Sequence, residues 1–148
     1  MGEERKVNDT VGILKECDSG TKMGINAIDE VLDKVGDAQL KALLVESREH
    51  HEKLGNDIQV KLAEHRQESQ EPAPIAKGMA WMKTNVKLTL HESDNTIADL
   101  ITDGCDMGIK SLHRYMNQYD CADNESKSLC RKLIDIEEVL RKDLQKYL

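Results

Sequence analysis

A helical repeat of apolar residues on both sides of one proline pair constrains the fold more than any other feature of this sequence. From Val7 to Val35, apolar or small residues recur in alternating steps of four and three, which places them on one face of a helix. Pro72 and Pro74 are the only prolines, so the segments before and after them are free to form helices. Phenylalanine is absent, and an aliphatic core is typical of helix bundles. The sequence therefore predicts an all-α protein.

The first half of the chain predicts a helical hairpin over 3–69. Gly36 and Asp37 interrupt the first apolar stripe. Glycine is common just after a helix and aspartate at a helix start, so we expect Gly36 to cap helix one and Asp37 to cap helix two. The second helix should run from about Ala38 to about Glu68. A connection this short makes the two helices antiparallel neighbours.

The second half of the chain predicts another hairpin over 93–148, joined to the first by a long crossover over 70–92. Ser93 and Asp94 form the expected start of helix three, which ends near Tyr119, and helix four follows over 124–148. The crossover should contain a short helix over 76–90. The chain has 148 residues, the length of one domain. We therefore expect 1–148 to fold as a single antiparallel four-helix bundle.

An internal repeat indicates that the two hairpins are equivalent. Residues 20–25, Gly-Thr-Lys-Met-Gly-Ile, recur at 104–109 as Gly-Cys-Asp-Met-Gly-Ile, an offset of 84 residues. At an offset of 86, Leu54 of helix two matches Leu140 of helix four. Such repeats mark duplicated structural units, so we expect the hairpins to be related by a pseudo-twofold axis.

Charge and targeting features exclude several classes of partner. The net charge is −7, whereas a nucleic acid or an anionic membrane surface is bound by a basic face. No apolar stretch approaches the roughly 18 residues of a spanning helix, and the first residues lack the apolar run of a signal peptide. We therefore expect a cytoplasmic protein with no nucleic-acid or membrane partner, in which the four cysteines are reduced and free.

The sequence resembles uncharacterised bacterial ferritin-like proteins. The resemblance is carried by the two Gly-x-x-Met-Gly-Ile motifs, by the turn Lys-Val-Gly-Asp-Ala-Gln-Leu-Lys-Ala-Leu-Leu at 34–44 and by the segment 95–109. It implies two helical hairpins joined by a long crossover. It implies no particular activity, because these relatives have none assigned.

Ferritin-like enzymes of the di-iron type carry one Glu on each of two helices and Glu-x-x-His on each of the other two. The resemblance places the corresponding positions at Thr21, Ser47, His50, Cys105, Leu133 and Ile136. One imidazole remains among them, and no Glu-x-x-His occurs in the chain. We therefore expect no ordinary di-iron centre.

The predicted core is polar near the middle of the bundle. The expected polar layer consists of Asp18, Thr21, Ser47, His50, His51, Thr102, Cys105 and Glu137. Adjacent residues on a helix point about 100° apart, so only one of His50 and His51 can face the core. A buried polar layer must satisfy its own hydrogen bonds or take up water or an ion. The layer either fixes the register of the helices or forms a metal or small-ligand pocket on His50 or His51, Asp18 and Cys105.

Four glycines inside the helices also need an explanation, since each costs roughly 1 kcal/mol relative to alanine. Together with two methionines they form two matching stripes. One stripe consists of Gly20, Met23 and Gly24, and the other consists of Gly104, Met107 and Gly108. Small residues four apart let backbones approach closely. The stripes are compatible with packing of helix one against helix three or with packing of the crossover on the bundle. They are also compatible with an interface to a second copy or a partner helix, where methionine gives adaptable contacts.

The sequence shows no nucleophile beside a base and no phosphate-binding loop, so we assign no catalytic residue. The leading expectation is a non-enzymatic bundle without a cofactor that acts as a homodimer or with a protein partner. One alternative is a metal-binding or redox protein with iron, zinc or manganese in a non-standard core site. Another is a carrier that holds a small ligand in the middle of the bundle.

Overall fold

Four α-helices form most of the chain that a computed structural model describes, which comprises residues 2–67 and 93–148. The helices are α1 (Gly2–Val31), α2 (Ala38–Glu64), α3 (Asp94–Gln118) and α4 (Asn124–Leu144). Short 3₁₀ turns follow α1 and α4, at Leu32–Lys34 and Gln145–Tyr147. These two ranges contain no strand, which confirms the all-α prediction. Among the helices described, none is long and apolar enough to cross a membrane.

The starts of α2 and α3 agree with the sequence prediction. Asp37 caps α2, because its Oδ1 accepts hydrogen bonds from the backbone N–H groups of Gln39 and Leu40, both at 2.9 Å. Ser93 caps α3 by accepting a hydrogen bond from the N–H of Thr96 at 3.3 Å. Each bond satisfies an amide that has no acceptor within its own helix.

The end of α1 differs from the prediction. α1 stops at Val31, and Gly36 does not adopt the left-handed conformation of a glycine cap. The N–H of Gly36 instead donates to Oδ1 of Asp94 at 2.8 Å, and the N–H of Asp37 donates to Oδ2 at 2.9 Å. An aspartate at the start of α3 therefore fixes the connection between α1 and α2.

The ends of α2 and α4 come earlier than predicted. α2 ends at Glu64 rather than near Glu68, because Arg66 has a φ of 57°, a left-handed conformation in which a right-handed helix cannot continue. α4 ends at Leu144, and a 3₁₀ turn then runs through Tyr147. The crossover 70–92 and its predicted helix 76–90 lie outside the described residues.

The apolar core consists of two clusters, and all four helices contribute to both. The Ile28 cluster contains Ile28, Val31, Leu40, Leu44, Ile97, Ala98, Leu100, Ile101, Cys105, Leu140 and Leu144. The Ile13 cluster contains Ile13, Leu14, Cys17, Leu54, Ile58, Leu62, Leu112, Ala122, Leu129, Cys130, Leu133 and Ile134. Along the helices, the buried polar residues Thr21, Ser47, His51 and Glu137 lie between the two clusters.

Two hydrogen bonds tie the start of α1 to the turn between α3 and α4. Thr10 Oγ1 accepts from the N–H of Asp123 at 2.9 Å, and Asp9 Oδ2 accepts from the N–H of Cys121 at 3.0 Å. Together with the bonds of Asp94 to the α1–α2 connection, they join the first two helices to the last two at both ends. The middle of the molecule is joined by buried side chains instead.

Candidate functional site

A cleft of about 450 Å³ lies between α1 and α3. Both repeated motifs line it, through Gly20, Met23 and Gly24 on α1 and Gly104, Met107 and Gly108 on α3. Side chains of α2 and α4 form its floor, namely His51, Leu133, Glu137 and Leu140. The two motifs therefore border a cavity instead of forming a packed contact between α1 and α3.

His51 and Glu137 form a buried pair at the floor of the cleft. His51 is fully buried, and its Nε2 lies 2.7 Å from Oε1 of Glu137. The other ring nitrogen, Nδ1, lies 2.7 Å from the carbonyl oxygen of Ser47. A carbonyl only accepts, so Nδ1 carries a proton, and a second proton lies between Nε2 and the carboxyl group. The pair therefore joins α2 to α4 and has no net charge.

The environment of His51 favours the protonated imidazole. Burial by itself lowers the pKa of His51, but the hydrogen bond to Glu137, the negative charge of Glu137 and the Ser47 carbonyl outweigh that effect. The pKa of His51 is therefore raised above its ordinary value of 6.5. An imidazolium bound to a carboxylate is the form that these contacts stabilise.

Gly24 and Gly108 make room for this pair. A Cβ atom at Gly24 would lie 2.6 Å from Cδ2 and 2.7 Å from Nε2 of His51, closer than real Cβ contacts. A Cβ atom at Gly108 would lie 3.8 Å from Glu137, at ordinary contact distance. Each glycine therefore faces the member of the pair on the helix that follows its own in the chain, and Gly24 has no space for a side chain.

The other two motif glycines differ from each other. A Cβ atom at Gly20 would lie 3.1 Å from Cδ2 of Leu133 on α4, whereas no described residue lies within 4 Å of a Cβ atom at Gly104. The expected packing of helix one against helix three through these glycines is therefore wrong for the described residues. The physical reason is that α2 and α4 fill the space behind the motifs, while no described side chain fills the space between them. The other predicted contact, between the crossover and these motifs, lies outside the described residues.

Cys105 is the third polar group beside the pair. Its side chain is buried. Burial, followed by the negative charge of Glu137 and a hydrogen bond to it, raises the pKa of the Cys105 thiol well above its ordinary value. Nucleophilic attack uses the thiolate, so these contacts do not activate Cys105 as a nucleophile.

The predicted polar layer forms in part. The structure brings together Ser47, His51, Cys105 and Glu137. Asp18 and Thr21 are buried as predicted but contact other groups. Thr21 donates to the carbonyl of Asp18 at 2.9 Å and lies against Gly55, while Asp18 pairs with Lys22 at 3.3 Å.

His50 and Thr102 depart from the prediction. The prediction that His50 faces the core is wrong, because its side chain is 53% exposed and lies beside Glu46. Ser47 faces the core as predicted, and the next inward residue of α2 is His51, four positions later, instead of His50. Thr102 is half-buried on α3, and its Oγ1 has no hydrogen-bond partner among the residues described.

The pairing of His51 with Glu137 was not predicted, although the sequence contains a signal for it. The two residues are 86 positions apart, which is the offset that matches Leu54 with Leu140. The predicted repeat therefore makes them equivalent positions. The sequence alone leaves open whether His50 or His51 faces the core, so the offset does not by itself select His51 as the partner of Glu137.

The donors at the floor of the cleft do not fit a di-iron centre. Such a centre needs several carboxylates and a pair of imidazoles. Among the described residues, the floor supplies one imidazole and one carboxylate bonded to each other, with a protonated thiol beside them. A metal would have to break that bond, so these donors give no support to the iron, zinc or manganese alternative.

A possible metal-binding group in the described part of the chain lies at one end of the bundle, away from the cleft. Ligand atoms of Asp9, Asp120 and Cys121 lie within 4.8 Å of one another. However, Asp9 accepts a hydrogen bond from the N–H of Cys121, and Asp120 pairs with Arg5 at 3.0 Å. Both carboxylates thus have protein partners, so we assign no site there.

The cleft therefore combines apolar walls, open space between two glycine-rich motifs and a buried ion pair at its floor. Its geometry is the main guide to function. Compared with protein-family models, curated proteins and solved structures, the chain gives no match.

Proposed function

We propose that this chain is a non-enzymatic binding protein that holds a small, largely apolar molecule in the cleft between α1 and α3. The observation that carries the proposal is the cleft itself, with a volume of about 450 Å³. Small-molecule sites in proteins are concave, mostly apolar and roughly 300–1,000 Å³ in volume, with a few polar groups that orient the ligand. The cleft has each of these properties, and His51 and Glu137 are its buried polar groups.

The state of the polar groups supports binding over catalysis. Both ring nitrogens of His51 are engaged by protein oxygens, so the imidazole is not available as a general base. The raised pKa of Cys105 keeps its thiol protonated. These groups offer hydrogen bonds and charge to a ligand but no activated nucleophile.

We further propose that the fold is antiparallel and ferritin-like. Along α1 and α4 the residues of the Ile13 cluster come before those of the Ile28 cluster, and along α2 and α3 the order is reversed. That order supports α1 and α4 running one way and α2 and α3 the other. It also puts the end of α2 and the start of α3 at opposite ends of the bundle, as the long crossover of a ferritin-like protein requires.

The resemblance to bacterial proteins supports a bacterial cytoplasm as the location. Cys17, Cys105, Cys121 and Cys130 are all free. Thiols in this state are expected in a reducing compartment.

The proposal is tested with N-phenyl-1-naphthylamine, a neutral dye whose fluorescence rises in apolar surroundings. Gly104→Leu places a side chain in the cleft, where none of the residues in 2–67 and 93–148 lies within 4 Å of the new Cβ atom. Gly104→Ala is the matched control, because it gives a similar gain in helix propensity and leaves most of the space. We expect saturable binding to the wild type and to Gly104→Ala, and at least tenfold weaker binding to Gly104→Leu.

Two results would overturn the proposal. One is the absence of saturable dye binding to the folded wild-type protein. The other is equal binding by Gly104→Leu and wild type, since the dye would then occupy another surface. Circular dichroism of each variant shows whether the helices are intact.

Self-association is a second candidate function, favoured by one observation. Met107 is 60% exposed at the edge of the cleft, beside the open space at Gly104, and exposed apolar groups of this kind often mark interfaces. In sedimentation equilibrium, Met107→Lys should convert a dimer to a monomer. Val139→Lys, at an exposed apolar residue of α4 outside the cleft, should not. A wild-type monomer at high concentration would contradict this candidate.

A further inference from the structure

The charge of the cleft restricts which molecules it can hold. Three carboxylates line it, those of Glu16, Glu30 and Glu137, and its lining in the described chain includes no lysine or arginine. His51 is the basic group there, and Glu137 matches its charge at 2.7 Å. Glu16 and Glu30 therefore give the described lining of the cleft an excess of negative charge.

Arg141 does not neutralise this charge. Arg141 lies close enough to Cys105 to influence the pKa of that thiol. Its guanidinium is bound to Asp106 at 3.1 Å. It is also not part of the cleft lining, so the excess negative charge stays available to a ligand.

The carboxylates are spread along the cleft. Glu16 and Glu30 lie on α1, roughly 20 Å apart at a rise of 1.5 Å per residue, and both are half-buried. Glu137 lies at the level of Gly24, between them, because Gly24 contacts the His51 ring to which Glu137 is bonded. Apolar residues such as Met23 and Ile101 separate these acidic positions.

We propose that the ligand is a linear aliphatic amine, protonated at neutral pH, whose hydrocarbon chain lies along the cleft and whose ammonium group binds a cleft carboxylate. This inference rests on the proposed binding function. An ammonium group placed beside a partly buried carboxylate gains a charge-assisted hydrogen bond. The methylene chain covers the apolar wall of the cleft, so that apolar surface is buried from water.

The same carboxylates disfavour the binding of two other common amphiphiles, fatty acids and alcohols. A fatty acid of the same chain length would bring a carboxylate next to Glu16, Glu30 or Glu137, and like charges at short range repel. An alcohol can donate one hydrogen bond to a carboxylate but brings no charge. The expected order of affinity is therefore amine, then alcohol, then carboxylate.

Isothermal titration calorimetry with ligands of one chain length tests this order. The probes are octylamine, 1,8-diaminooctane, 1-octanol and octanoate, each kept below its aggregation concentration. We expect octylamine to bind at least tenfold more tightly than 1-octanol and octanoate to bind most weakly. We expect 1,8-diaminooctane to bind at least as tightly as octylamine, because either of its two ammonium groups can bind Glu16 or Glu30.

Charge-removing variants identify the carboxylates involved. Glu16→Gln and Glu30→Gln each remove a carboxylate that carries the excess charge, and either should reduce the preference for octylamine over 1-octanol by at least threefold. Glu138→Gln is the matched control, because this exposed glutamate does not line the cleft. Neither Glu16 nor Glu30 belongs to the buried pair, so both variants should keep the wild-type fold.

The outcomes separate this inference from the proposed function. If the neutral dye binds and octanoate binds as tightly as octylamine, the amine inference is wrong and the binding function stands. An unchanged octylamine preference in both Glu16→Gln and Glu30→Gln would also contradict it. If neither the dye nor any eight-carbon ligand binds, both proposals fail together.

Discussion

Gly24 leaves space for the His51 ring, and this space lets an imidazole of α2 reach a carboxylate of α4. A Cβ atom at position 24 would lie 2.6 Å from the ring. His51 is fully buried and bonded at both nitrogens, so the ring cannot move aside without breaking a hydrogen bond. The glycine that weakens α1 as a helix is therefore required by packing.

Gly24→Ala should destabilise the protein although alanine favours a helix. The gain in helix propensity is about 1 kcal/mol, whereas overpacking a core typically costs about 1–3 kcal/mol, and a buried hydrogen bond is strained as well. We expect the free energy of unfolding in urea to fall by about 1–2 kcal/mol. Gly104→Ala, with open space around its new methyl group, should raise it by up to about 1 kcal/mol. Equal effects of the two substitutions would contradict this explanation of Gly24.

The His51–Glu137 pair makes a pH-dependent contribution to stability. Its sign follows from the pKa of His51, which is raised in the folded protein. A group whose pKa is higher in the folded state stabilises the fold at pH values below its unfolded pKa. That contribution is lost as pH rises through its folded pKa.

Glu137→Gln should remove the pH-dependent contribution to stability, because burial lowers the pKa of His51 once the carboxylate is gone. We expect a loss of about 3 kcal/mol in the free energy of unfolding below pH 6.5. The loss should shrink as pH rises through the folded pKa of His51. Urea unfolding of wild type, Glu137→Gln and the control Glu138→Gln between about pH 5.5 and 9 measures it. A difference that stays constant or grows with pH would show that the pair is not charged.

At the scale of elements, Asp94 connects the two halves of the bundle through backbone amides. Its two carboxylate oxygens accept from the N–H groups of Gly36 and Asp37 at 2.8 and 2.9 Å. The start of α3 is thus bound to the connection between α1 and α2. This contact also replaces the glycine cap that the sequence predicts.

Asp94→Ala should therefore act on a connection that is distant in sequence. We expect a loss of about 1–3 kcal/mol, because two amides lose a charged acceptor. Faster hydrogen exchange at Gly36 and Asp37 should accompany it. Asn95→Ala, at the exposed next residue, should change neither quantity. Unchanged exchange at both amides in Asp94→Ala would rule out this role of Asp94.

Helix starts were predictable where the capping signal is local. Asp37 and Ser93 act within three residues of their own position, so the sequence contains the whole signal. The end of α1 was not predictable in this way, since the partner of Gly36 is on another helix. The inward residue of α2 was also ambiguous, because periodicity alone did not decide between His50 and His51.

At the scale of the whole molecule, the repeated glycine motifs border an open cleft on one side and contact α2 and α4 on the other. The polar middle of the core could be predicted in part from sequence, whereas the equivalence of the two hairpins stays a prediction. The cleft could not, because small residues at four-residue spacing are compatible both with close helix packing and with a cavity. The distance between α1 and α3 depends on the side chains of α2 and α4 behind them, including His51, Leu133 and Glu137.

Mapping of backbone amide shifts by NMR during titration with N-phenyl-1-naphthylamine tests the central claim most directly. If the cleft is the binding site, the largest shifts will occur at Gly20, Gly24, Gly104 and Gly108, and Gly104→Leu will abolish them. If the shifts instead cluster at exposed apolar residues outside the cleft, such as Val60 and Val139, or if none occur, the cleft is not a ligand site.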